Sequence, residues 1–290
     1  MIKKISLIQF VLALSLLMSP ILITKHTPKR MALIDNPTKI YSPVHDKLPT
    51  SFVKLGEFYT DFSRSSENRK HNISLACHKI NGMFLESGAE FSFNHTVGPR
   101  TEKNGFKSAK IIFSGQFIDG IGGGVCQVST TLYNAAICSG MVITENHPHS
   151  LLVNYVSPSQ DAMVNAFGSD LKFINPYNSR VYIQTTTIND RITVSFFGQE
   201  CEYTYKLESV IDEYLPPFNV IKIFDEDNSY PDLKYGQEKV LSYGTNGAKS
   251  RAFLVCEQNG TVVYKKLFRT DNYSPSNIII IQGRACNDEG

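Results

Sequence analysis

The stretch that most constrains this chain is Gly120-Ile-Gly-Gly-Gly-Val-Cys-Gln-Val-Ser-Thr-Thr131. After it, Val128, Leu132, Ala135 and Ala136 recur at helical spacing, and Gly140 sits where a C-terminal stop belongs. The pattern predicts a glycine loop that feeds a helix with Cys126 in its first turn. Free backbone N–H groups and the helix macrodipole favour negative charge there. A thiol attacks only as thiolate, and its ordinary pKa of ~8.5 falls at a helix N-terminus or beside a cationic histidine. Gly122, Gly123 and Gly124 let the backbone approach a substrate and turn N–H groups inward as an oxyanion hole, worth roughly 3–4 kcal/mol per donor.

His147-Pro-His-Ser150 follows downstream. An imidazole, with an unperturbed pKa of about 6.5, can take a thiol proton and return it to a leaving amine. His149 is the preferred base, because Ser150 and an expected strand follow it; His147 is the other candidate. Asp161 or Asp170 can orient the ring as a third member. Three readings of these residues stay open at this point. One is a catalytic thiol. The second is a zinc site built from Cys126, His147 and His149, a plausible open ligand set that lacks the H-E-x-x-H helix of common zinc peptidases. The third is a structural loop.

The charge balance of 29 basic against 27 acidic residues gives no reason to expect nucleic acid as a partner. With 290 residues and 42% hydrophobic content, the chain is long and apolar enough for two globular domains. Its six cysteines include no C-x-x-C pair, which argues against a zinc ribbon or a thioredoxin motif. On one helix, Cys126 and Cys138 stand ~18 Å apart, beyond the roughly 7 Å that a disulfide tolerates.

Residues 1–26 read as a signal anchor. Lys3 and Lys4 precede an apolar run from Ile5 to Thr24, long enough to span a bilayer, with no clear cleavage site. Either an anchor or a cleaved signal places the rest outside the cytoplasm. Residues 27–59, with Pro28, Pro37, Pro43 and Pro49, read as an extended linker. Residues 60–204 form the main domain. It has a short helix over 72–82 with Cys77 on its apolar face, a strand at Glu90–Asn94 and a hairpin around Ser114-Gly115. β-like runs follow at Leu151–Val156, Asp161–Val164, Leu171–Ile174, Val181–Thr185 and Ile192–Phe197, the last entered through an Asn189-Asp190 turn. Residues 205–290 lose helical patterning and show short β-like segments punctuated by Gly236, Gly244, Gly247, Gly260 and Gly283, a separate small β domain. The fold class is α+β: a mixed domain with a glycine-loop-to-helix elbow, then a small all-β domain.

Glu90-Phe-Ser-Phe-Asn94, Val97-Gly-Pro-Arg-Thr101, Gly105-Phe106, the glycine–cysteine motif through Ala136, His147-Pro-His-Ser150 and Asp161-Ala together resemble the VanW family. The match in order and spacing covers about residues 60 to 200. The resemblance implies an exported protein of the bacterial cell wall, associated with glycopeptide resistance. For some members it implies L,D-transpeptidase activity, with the motif cysteine as nucleophile. That cysteine falls on Cys126 and the family's histidine pair on His147 and His149. The expected site is therefore Cys126, His149, His147 and Asp161, with Gly122, Gly123, Gly124, Gln127, Ser129 and Arg100 as an oxyanion and substrate loop. Gln160 stands where the family often has arginine. The tail looks like the five-glycine β module of wall-associated proteins, which implies a wall-glycan contact. The expected partners are peptidoglycan stem peptides, wall glycan and the membrane. The mechanism needs no metal or organic cofactor.

Overall fold

The computed structural model describes residues 47–283 apart from Ser114, Asp227 and Asn228. The expected membrane anchor and the proline-rich half of the expected linker lie outside the described residues. Among the described residues, no helix is long and apolar enough to cross a membrane. The fold is α+β, with sheet dominating.

The chain enters through β1 (Val53–Asp61), so the extended linker gives way to a strand six residues before its expected end. Helix α1 (Glu67–Ile80) starts at Ser66, whose hydroxyl accepts from the Arg69 amide. Glu67 in its first turn, and His78 and Lys79 in its last, complement the helix dipole. As the spacing predicts, Ile73, Ala76, Cys77 and Ile80 are buried. Strands β2 (Met83–Leu85) and β3 (Glu90–Ser92) follow. The expected strand at 90–94 is cut short, because Ser92 caps the short helix α2 (Phe93–Val97) by accepting from the His95 amide. Strands β4 (Ser108–Phe113) and β5 (Gln116–Ile121) form the expected hairpin and lead into α3 (Val125–Cys138).

Strand β6 (Val142–Glu145) comes next, then a long loop, then β7 (Lys172–Ile174), β8 (Val181–Ile188) and β9 (Arg191–Gly198). Asn189 and Asp190 both take positive φ, +52° and +56°, as a two-residue hairpin turn requires. The expected strands at 151–156 and 161–164 do not form. Instead, backbone atoms of Pro158, Ser159, Gln160, Asp161 and Ala162 bond side chains of α3 and of the C-terminal sheet.

Strands β1, β9, β8 and β2 make one sheet in that order, and β3, β7 and β6 make a second. Helix α3 is buried on nearly every side, against β1, β9, α1 and β6. Leu132, Ile73, Phe173 and Phe196 meet in one core cluster, and each buried large side chain contributes ~1.5–3 kcal/mol. Phe173 stacks on Phe91 with centroids 4.6 Å apart and meets Phe196 edge-on at 5.8 Å.

The C-terminal region combines three long strands with three of the expected short ones. Strands β10 (Tyr203–Leu215), β13 (Gly247–Gln258) and β14 (Thr261–Tyr273) form an antiparallel sheet. Strands β11 (Val220–Phe224), β12 (Glu238–Ser242) and β15 (Ile278–Gln282) form another, with β11 and β15 parallel.

The glycine loop packs against this frame. A Cβ at Gly123 would lie 2.6 Å from the Lys110 carbonyl oxygen and 2.8 Å from the Ala109 backbone. Gly123→Ala should therefore destabilise the protein by roughly 1–3 kcal/mol, the usual cost of overpacking. Urea denaturation should show a lower midpoint with an unchanged slope.

Candidate active site

Cys126 stands in the first turn of α3, after Gly124 at φ +106°. The Val125 and Gln127 amides donate to the Gly122 and Gly124 carbonyls, and the Cys126 amide lies between them. The thiol is half-buried and donates to the Val164 carbonyl at 3.2 Å. The Val164 backbone lowers the thiol pKa, but burial of the sulfur raises it and favours the neutral thiol.

His149 pulls the other way. Its ring lies beside the Cys126 sulfur and draws the thiol pKa down, while its Nδ1 lies 2.6 Å from Asp161 Oδ2. The same carboxylate oxygen accepts the His149 backbone N–H at 2.7 Å. His149 is 5% exposed and Asp161 1%. Burial alone would raise the thiol pKa. The adjacent charged His149, helped by the Val164 backbone and the nearby Arg100 guanidinium, outweighs it and holds the thiol below its ordinary range. Burial likewise disfavours imidazolium, but Asp161 and Cys126 together hold His149 above the ordinary histidine value. Asp161 is held low by His149 and Tyr273 against its own desolvation. This arrangement favours a thiolate–imidazolium pair backed by a buried carboxylate.

The loop that carries Asp161 is pinned from both sides. Helix α3 supplies Ser129 Oγ to the Ala162 carbonyl at 2.6 Å, Thr130 Oγ1 as acceptor of the Ala162 amide at 3.0 Å, and Asn134 Nδ2 to the Gln160 carbonyl at 2.7 Å. The C-terminal sheet supplies the Leu207 carbonyl to Gln160 Nε2 at 2.9 Å. Gln160 is therefore a tether to β10.

Several expected site residues have other roles here. His147 is 40% exposed at its side chain and pairs with Glu145 at 3.0 Å, so Cys126, His147 and His149 do not converge as a zinc set. Among the described residues no group of three or more metal-ligating side chains gathers. Asp170 caps α2, accepting from Ser92 Oγ and the Asn94 amide, and does not orient His149. Gln127 is buried and bridges Arg69, Thr60 and Asp61, so it faces the core instead of a substrate. Ser129 braces the Asp161 loop. Gly122, Gly123 and Gly124 are packed against Arg100, β4 and α1 respectively, a closeness that serves the fold. Arg100 is held by Asn94 Oδ1 at 2.6 Å with its charge near the thiol. Arg69, which no local pattern singles out, adds a second guanidinium near Cys126.

A cleft of about 460 Å³ opens beside His149, walled by Ile112, Pro148, Met163, Asn272 and Ser274. Its wall includes His149 but not Cys126.

Residues 68–197 match the family model described as VanW like protein. Over that segment the chain is similar to the VanW family. It is 37% identical over 163 residues to the uncharacterized protein YoaR of Bacillus subtilis, covering 56% of this chain and 54% of that one. It is 24% identical over 156 residues to the vancomycin B-type resistance protein VanW of Enterococcus faecalis, covering 51% and 56%. The chain thus spans about half the length of these curated relatives. Two solved G5 domains each cover 29% of the chain: that of HP0197, at 24% identity and TM-score 0.16, and that of an IgA1 protease, at 21% and 0.19. The VanW-matched region contains Cys126, His149 and Asp161 and ends before β10 begins.

The lowered thiol and raised imidazole make a pH prediction. Iodoacetamide should alkylate Cys126 at pH values well below the ordinary thiol range. His149→Gln removes the imidazolium, leaves the desolvation, and should move the alkylation midpoint above ~8.5. A midpoint unchanged by that substitution would count against the pair.

Proposed function

We propose that this protein is a cell-wall acyltransferase, a cysteine L,D-transpeptidase acting on peptidoglycan stem peptides. One observation carries the reading: His149 lies between the Cys126 sulfur and a carboxylate that is 1% exposed. That is the geometry for taking a thiol proton and holding the resulting imidazolium. The resistance-associated name of the Enterococcus faecalis relative supports a cell-wall setting. So do the expected export segment and the likeness of the C-terminal sequence to wall-associated five-glycine modules.

In this reaction the Cys126 proton passes to His149, and the thiolate leaves the Val164 carbonyl. It attacks the carbonyl carbon of the third residue of a tetrapeptide stem. The bond to the terminal D-Ala breaks, and the D-Ala nitrogen takes the proton from His149. A thioester remains on Cys126. A side-chain amine of a neighbouring stem then attacks the thioester, gives its proton to His149, and forms a 3–3 cross-link as the thiolate is released.

The chemistry is tested by intact mass after incubation with a purified tetrapeptide stem. The expected result is a covalent acyl adduct that is absent from Cys126→Ala and forms ~10²–10⁴-fold more slowly in His149→Ala. Unchanged cross-linking by Cys126→Ala would sink the proposal.

A further inference from the structure

We infer that the C-terminal β region is part of the catalytic unit: Tyr273, at the end of β14, is a positioning residue that fixes the Asp161 carboxylate for His149. This deepens the proposed thiol mechanism and rests on it for its catalytic meaning.

The two oxygens of Asp161 are divided between two domains. Oδ2 serves His149, through both Nδ1 and the backbone N–H. Oδ1 accepts the Tyr273 hydroxyl at 2.5 Å. The direction of that bond is set by a third group. The Ser159 amide donates to the Tyr273 oxygen at 2.7 Å, so the phenol's own proton is turned to the carboxylate. Tyr273 is 1% exposed, which leaves no solvent to replace it. Arg269, two turns of pleat earlier on the same strand, donates to the Asp161 main-chain carbonyl at 2.8 Å while Asp271 holds its guanidinium at 2.7 and 2.8 Å. Side chain and backbone of Asp161 are thus both held from β14.

Other features agree that this junction is built rather than incidental. Ser159 is fully buried at φ +63°, a conformation uncommon outside glycine, and its hydroxyl meets Ser250 of β13 at 2.7 Å. A Cβ at Gly247 would stand 2.2 Å from the Tyr273 carbonyl oxygen, so glycine there lets β13 begin against the end of β14. Beyond Tyr273, the Ser274 amide donates to the Ser150 carbonyl at 2.8 Å, next to His149. Asn272 and Ser274 then form the far wall of the cleft beside that histidine. A tethering module that merely carried the VanW domain to the wall would need none of this.

The test is Tyr273→Phe in the full chain, which keeps the ring and removes the hydroxyl. Without that donor the buried Oδ1 loses its hydrogen bond and keeps only the Arg269 guanidinium at 4.0 Å, so the carboxylate is harder to keep ionised. The midpoint of Asp161, followed by carbon NMR of its labelled carboxyl, should rise by about one unit. The acid limb of Cys126 alkylation should move up with it, giving about a tenfold slower reaction on that limb. A packing role alone would leave both titrations in place. An Asp161 midpoint that does not move in Tyr273→Phe overturns the inference. The NMR reading does not involve the thiol. If native Cys126 alkylates like an ordinary thiol while the Asp161 midpoint still rises, the nucleophile reading fails and the positioning contact stands.

Discussion

The buried contact between His149 and Asp161 is the interaction on which the site depends. An unpaired carboxylate in that position would simply take up a proton, because desolvation disfavours its charge. It stays ionised because donors reach both oxygens, from the His149 ring and backbone on one side and from Tyr273 on the other. With a fixed negative charge behind it, the imidazole can hold a proton at neutral pH beside the sulfur. The two shifts bound a pH window of stability. Asp161 contributes above its unfolded value near ~3.9 and loses that contribution as pH falls through its lowered folded value. His149 contributes below its unfolded value near ~6.5 and loses it as pH rises through its raised one.

The loop from Ser150 to Asp170 can do this work only because it is braced without being a sheet. Helix α3 is buried nearly all round, yet it carries Gln127, Ser129, Thr130, Thr131 and Asn134 inside. Those side chains substitute for ladder hydrogen bonds, and three of them end on backbone atoms of Gln160 and Ala162. The helix therefore both starts at Cys126 and clamps the carboxylate segment, so the distance between Cys126 and the His149–Asp161 pair is set by one rigid element.

Much of the fold was legible in the chain. The helix after the glycine run, the β4–β5 hairpin, the Asn189-Asp190 turn and the apolar face around Cys77 all follow from local spacing. The misreadings share a cause. Leu151–Val156 is a short apolar run that reads as a strand, but no strand pairs with it. Phe93 and Asn94 read as strand until Ser92 and Asp170 supply caps for a helix, and Asp170 comes from far along the chain.

By itself the sequence determined the likeness to the VanW family, the α+β character and the prime suspects, Cys126 and His149, because glycine punctuation, helical periodicity and motif order are local properties of a chain. Tertiary structure alone decided which histidine lies beside the sulfur, that Gln127 and Ser129 brace the site from within, and that β14 reaches Asp161. Tyr273 and Asp161 are separated by more than a hundred positions. A hydrogen bond over that separation is fixed by how two sheets dock, and no local spacing encodes the docking.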